Sequence, residues 1–421
     1  MKQKGKKKLG KFFKKNGIVA QKKGKGKYQN LNLENDETAI SNKIPQTNVK
    51  KERNPGIDFG RIVCMYAIVL HHILFFGGID KYSQYKELRI LNLATFWHVD
   101  GFIFISGYIG HKTTKYSNLF YLWCCTLFYS IGITLYFSKF KPHIYKRQIE
   151  FNDFFPVINE KDFIYWYFTA YFGMYLFLPV VNKGIENISK SQLKITVLSF
   201  ILVFSVLPDY INPKSDIFHM NIGMSVIWHL IFFIVGSYFG KFKKDGNCFK
   251  KVIKIIIYAL IFYFSTYLCI KLPEYPNYTY DNKQILKSLK YKVVIFLKSV
   301  FIQKRNSLSM ILESISVILI LINIHYNKYI AKVITFIGPL TFGVYLIHEH
   351  SIVREKIIRN ILKDYPRQLP LNTVYKIITY KALKVFVICI IIDYFRNILF
   401  RILQIRKICI LIEKLIFKLF G

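Results

Sequence analysis

The sequence predicts an all-α, polytopic membrane bundle of about ten transmembrane helices, and three observations predict it. Of 421 residues, 52% are hydrophobic and 17% aromatic, with a mean hydropathy of +0.26. Apolar runs near the ~20 residues that cross a bilayer recur along most of the chain. The 61 Lys and Arg against 24 Asp and Glu give a net charge of +37, gathered most densely at the N-terminus. This composition excludes a disordered or collagen-like chain. Soluble domains would have to bury those apolar runs on every side, which a membrane does at lower cost.

Residues 1–54 form a lysine-rich tail too polar to fold alone, and Asn54-Pro55-Gly56 is the turn that closes it. The tail has few aromatics and no groove-reading element, so no nucleic acid is expected, and anionic membrane lipid is the expected contact. The positive-inside bias places it in the cytoplasm, and ten spans return the C-terminus to the same side. The first long apolar run begins near Ile57, so it reads as a retained signal-anchor. The protein is expected to be a multi-pass integral protein of a plasma or inner membrane.

The ten apolar segments lie near 57–77, 93–111, 118–138, 163–183, 193–209, 222–241, 251–271, 307–324, 333–350 and 374–400. Each must be helical, because lipid offers no partner to an open backbone. KYKVVIFLKSVFIQKR alternates lysines with apolar residues and reads as an interfacial or re-entrant helix. The domain outline is thus a tail (1–54), a membrane domain (55–401) and an amphipathic C-terminal tail (402–421) with apolar residues at helical spacing. The seven cysteines show no Cys-x-x-Cys spacing, so neither a disulfide framework nor a zinc site is expected.

Ionisable groups inside spans each cost about 2.5–3.5 kcal/mol on insertion scales, so they mark candidate chemistry. The first span holds Asp58, Arg61, His71 and His72, and the second holds His98 and Asp100. His72 and Asp100 each lie about five or six residues, roughly 8 Å, below the same membrane face. In neighbouring antiparallel helices the carboxylate could orient the imidazole as a general base. Adjacent helical residues point about 100° apart, so only one of His71 and His72 can face Asp100.

Arg61 lies towards the opposite end, one turn after Asp58, and Lys112 and Lys115 follow the second span. Together they would form a cationic mouth for a polyanionic donor. Asp393 and Arg396 repeat the i, i+3 pair and read as a helix-end salt bridge with a snorkelling arginine. Glu313 sits at a depth like that of His72. Tyr345 and His350, near the end of the ninth span, have the placement of interfacial anchors.

Four segments, in order, resemble the membrane-bound acyltransferase 3 family. They are IDFGRIVCMYAIVLHH, HVDGFIFISGYIG, DFIYWYFTAYFGMYLFLPVVN and IGPLTFGVYLIHEH. The Arg61-to-His72 spacing of 11 matches the family's opening helix and selects His72 over His71. The resemblance implies a ten-helix bundle that moves an acyl group, usually acetyl, from acyl-CoA to a hydroxyl of a carbohydrate or other acceptor. It implies functional roles for Arg61, His72 and Asp100. The expected catalytic residues are therefore His72 and Asp100. Arg61, Glu313, Tyr345 and Trp166 are candidates for substrate binding, and Arg61, Lys112 and Lys115 for the acetyl-CoA donor, with no metal. One departure is that HKTTKYSN after the second segment has lysines where many members are rich in arginine. The competing class, a transporter or lipid-linked sugar flippase, would be expected to show internal repeats, and the two halves of the chain show no convincing self-similarity.

Overall fold

The structure is a computed structural model that describes residues 54–79, 82, 85–110, 114–143, 165–212, 215–243, 246–274, 289–359 and 361–420. The lysine-rich tail before Asn54 and Lys112 lie outside the described residues.

The first helix, α1 (Pro55–Phe76), starts where Asn54 Oδ1 accepts the Gly56 N–H at 2.8 Å and Pro55 presets the first turn. A single second span was expected, but two helices occupy it, α2 (Tyr85–Thr95) and α3 (His98–Gly110). The break has a local cause. Thr95 Oγ1 donates to the carbonyls of Leu91 and Asn92, and Trp97 Nε1 donates to that of Ala94, so side chains occupy the last turn of α2.

Next come α4 (Tyr116–Phe140), α5 (Trp166–Asn187) and α6 (Lys190–Ile211), the last opened by a Ser189–Gln192 capping box. Ser225 and Asn247 cap α7 (Val226–Lys241) and α8 (Cys248–Lys271). The alternating segment forms α9 (Leu289–Val300), whose 12 residues are too few to span a bilayer. Ser307 caps α10 (Leu308–Asn323). Gly338–Leu340 forms a 3₁₀ turn between α11 (Lys328–Ile337) and α12 (Thr341–His348). The chain closes with α13 (Leu371–Ile402) and α14 (Ile405–Phe420).

Every one of the ten expected segments coincides with helix, yet the count of ten is approximate. Among the described residues six stretches are long and apolar enough to cross a membrane, while α7 and α10 are shorter apolar helices. Peripheral faces are apolar and open, as Ile256, Leu260 and Phe264 of α8 illustrate. Such a patch is unsuited to water and suited to lipid.

Helix α1 is the hub, packed against α3, α10, α11, α12 and α13. The tightest pairing joins α3 to α7. There Gly107, Gly236 and Gly240 bring main chains together, and a methyl at any of them would collide with the facing backbone. Gly338 and Gly343 serve differently, because they make room for two buried carboxylates, Asp58 and Asp393.

Candidate active site

A cavity of about 500 Å³ runs through the bundle beside α1. Its α1 wall is Arg61, Met65, Ile68 and His72, spaced by four, three and four residues, so they form one helical stripe. Arg61 and His72 are eleven residues apart, about 16 Å at the helical rise, so the cavity joins two levels of the bundle. The facing walls come from α3, α5 and α12 and are largely aromatic, with Phe102, Tyr167, Tyr171, Phe342 and Tyr345.

The stripe also separates the two histidines. His72 faces the cavity, whereas His71 turns away, with its Nδ1 2.6 Å from Asn92 Oδ1.

His72 is not paired with Asp100, contrary to the sequence reading. Its Nδ1 lies 3.0 Å from His348 Nε2 and 2.9 Å from Glu349 Oε1. Asp100, buried in the first turn of α3, instead accepts a 3.0 Å hydrogen bond from Trp228 Nε1 of α7. The flank of α1 that His72 faces is occupied by the end of α12.

The tautomers follow from one backbone atom. The Val344 carbonyl can only accept, so His348 Nδ1, 2.6 Å away, carries the hydrogen. A neutral His348 then offers Nε2 as an acceptor, so His72 Nδ1–H donates to it. That leaves the His72 Nε2 lone pair available to accept a proton. Glu349, itself 3.6 Å from Arg354 Nη1, places a carboxylate beside the ring that would become an imidazolium. The same three side chains present ligand atoms within 4.8 Å of one another, a set that could also hold a metal ion.

Beside His72 the cavity is lined by His98, Trp166 and Arg305. Arg305, in the turn before α10, stacks over Phe96 at 4.8 Å and Trp166 at 5.2 Å. Burial disfavours its charge and the Asp100 carboxylate opposes that effect. Both ring nitrogens of His98 lack a hydrogen-bond partner among the described residues. At the other level, Arg61 Nη1 donates to Asp58 Oδ1 at 2.6 Å, beside Ser106, Asn118, Tyr121 and Arg406.

The cavity thus gathers Arg61, His72, Trp166 and Tyr345, but not the remaining candidates. Glu313 faces α8, where Thr266 donates to it at 3.0 Å, outside the cavity lining. Lys115 is exposed at the start of α4 and also lies outside the lining. Tyr345 and His350 are not interfacial anchors, being only 4% and 3% exposed. Arg396 does not snorkel. It is buried, makes two hydrogen bonds to Asp393 at 2.9 and 2.7 Å, and reaches Tyr121.

His348, Glu349, His98 and Arg305 were missed as site residues. A signal existed for the first two, since IHEH puts imidazoles and a carboxylate at the end of a span at the level of His72. Arg305 carried none, because its loop is distant in sequence from every motif.

The sequence model of one family, described as an acyltransferase domain and known as acyltransferase 3, matches residues 54–393. No curated protein and no solved structure matches the chain.

Proposed function

Because this chain belongs to the acyltransferase 3 family and is a multi-pass membrane acyltransferase, we propose that it moves an acetyl group from acetyl-CoA to a carbohydrate hydroxyl across the bilayer. The observation that carries this reading is the single cavity with Arg61 at one level and His72 at the other. An acyl-CoA has a polyanionic head and a long, narrow arm ending in the thioester. Its head would stay by Arg61 while the thioester reached His72. In this reading the Arg61 level and both termini face the cytoplasm, and the His72 level faces outward, in a plasma or inner membrane.

The acceptor hydroxyl gives its proton to His72 Nε2 as its oxygen attacks the thioester carbonyl. The tetrahedral intermediate collapses, the C–S bond breaks, and the sulfur takes the proton from His72. The products are the ester and free CoA. Glu349 steadies the transient imidazolium, and His348 holds the ring in the productive tautomer. The aromatic walls favour a sugar's apolar faces, and Trp166 with Arg305 would receive the acceptor at the His72 level. Asp100 serves as a positioning residue for the α3–α7 wall, not as the partner of His72.

The test is transfer from labelled acetyl-CoA to cell-surface glycan by His72→Ala protein that remains inserted and abundant. Loss of labelled glycan with normal insertion is expected. Unchanged labelling would remove His72 from the chemistry.

A further inference from the structure

Beside the Arg61 end of the cavity lies a second one of about 550 Å³, and the two share Tyr121, Leu122, Pro339, Phe342 and Arg406 in their walls. Four cations line the second cavity, Arg396, Arg401, Arg406 and Lys407, and no carboxylate does so among its described lining residues. Asp393 matches the charge of Arg396. No carboxylate partner of Arg401, Arg406 or Lys407 exists among the described residues. Arg401, Arg406 and Lys407 are exposed, and three unmatched cations at one concavity give it a positive potential that attracts an anion.

Their placement is built into the fold. Gln404, with φ at +52°, turns the chain between α13 and α14, and the Lys407 N–H returns to the Gln404 carbonyl at 2.8 Å. The turn folds α14 back along α4, where Tyr116 meets Phe417 with ring centroids 6.1 Å apart and Cys409 is buried. Arg406 is then fixed by donating to Asn118 Oδ1 at 2.9 Å and by lying 5.4 Å over the Tyr121 ring.

We propose that this vestibule binds phosphate groups, and that those of the acyl-CoA head are its ligand, so that α14, beyond the family-matched residues 54–393, completes the donor site. The inference rests on the proposed acyl transfer. It assigns to Arg401, Arg406 and Lys407 the role expected of Lys112 and Lys115. Guanidinium groups bind phosphate oxygens in pairs, which suits a diphosphate and a ribose phosphate at the mouth of a narrow channel. The other source of the same chemistry is the phosphate of an anionic lipid headgroup.

The experiment uses full-length protein in nanodiscs of phosphatidylcholine, with or without phosphatidylglycerol. The variants are Arg401→Gln/Lys407→Gln, which spares the contacts that fix α14, and Arg406→Lys. Two donors are compared, acetyl-CoA and acetyl-pantetheine, the latter without phosphates. The Arg401→Gln/Lys407→Gln protein should show a KM for acetyl-CoA raised about tenfold or more in both lipids, with the KM for acetyl-pantetheine unmoved. Arg406→Lys should give a smaller rise of the same kind. A rise seen only with phosphatidylglycerol would assign the vestibule to lipid and overturn the proposal. Equal effects on both donors, or none on either, would overturn it as well. Equilibrium binding of labelled CoA, read without turnover, should weaken in the same variants. Wild-type protein that binds CoA but transfers nothing would count against the acyl-transfer reading instead.

Discussion

The Nδ1 of His72 lies 3.0 Å from the Nε2 of His348, whose own Nδ1 is committed to the Val344 carbonyl. A backbone oxygen therefore sets the tautomer of one ring and, through it, the tautomer of the other. The arrangement joins the α1 stripe to the end of α12, and in the proposed mechanism it makes His348 a positioning residue for His72.

His348→Ala should lower kcat about 10- to 100-fold with little change in the KM for acetyl-CoA, because the proposed function puts the donor head at the other level of the cavity. His72→Ala should lose more, on the order of 10²–10⁴-fold. Steady-state kinetics on monodisperse protein of each variant separate the two. Equal losses in KM and kcat for His348→Ala would refute the positioning role.

Glu349→Gln keeps the size of the side chain and removes the charge beside His72. Its kcat should fall by at least about tenfold, the order expected when a buried charge beside a transient cation is lost. A rate within twofold of wild type would place Glu349 outside the mechanism.

Asp100→Asn retains an oxygen to accept from Trp228 Nε1. The loss in kcat should be less than about tenfold, far below that of His72→Ala. Were Asp100 the orienting partner first expected, the two losses would be comparable, and the same rate assay distinguishes these cases.

Gly343→Ala drives a methyl into the Asp393 carboxylate, which is buried with Arg396 and also accepts from Tyr129 at 2.8 Å. Overpacking of this kind costs about 1–3 kcal/mol. Thermal unfolding in detergent should show a lower midpoint than wild type, whereas Gly132→Ala, with nothing near its added methyl, should not.

The histidine–glutamate cluster could ligate a metal, but the proposed chemistry needs its Nδ1 atom to carry a proton. Dialysis against EDTA should leave turnover unchanged, and added Zn²⁺ should inhibit by taking that position. Activity lost on chelation and restored by a metal would reverse this assignment.

The all-helical membrane architecture was legible because hydropathy and span length are local properties of the chain, as was the α1 face that Arg61 and His72 share, since it follows from their spacing. The pairs Asp58–Arg61 and Asp393–Arg396 were legible for the same reason, since i, i+3 neighbours share a helix face. The broken second span was not, because it depends on how the side chains of Thr95 and Trp97 take the nearby carbonyls.

By itself the sequence determined the all-helical, multi-pass architecture, which stripe of α1 carries the charged and imidazole side chains, and which family the chain resembles. These follow from periodicity and from the cost of placing polar groups in lipid. Tertiary structure alone decided that Glu349 and His348, not Asp100, meet His72, that Arg305 reaches the cavity from a remote loop, and that α14 returns its cations to the Arg61 end. Depth along a helix is additive in residues and can be counted. Which helix stands beside which, and at what rotation, depends on contacts between segments hundreds of residues apart, such as the glycine seam of α3 and α7 and the room that Gly338 and Gly343 leave for buried carboxylates.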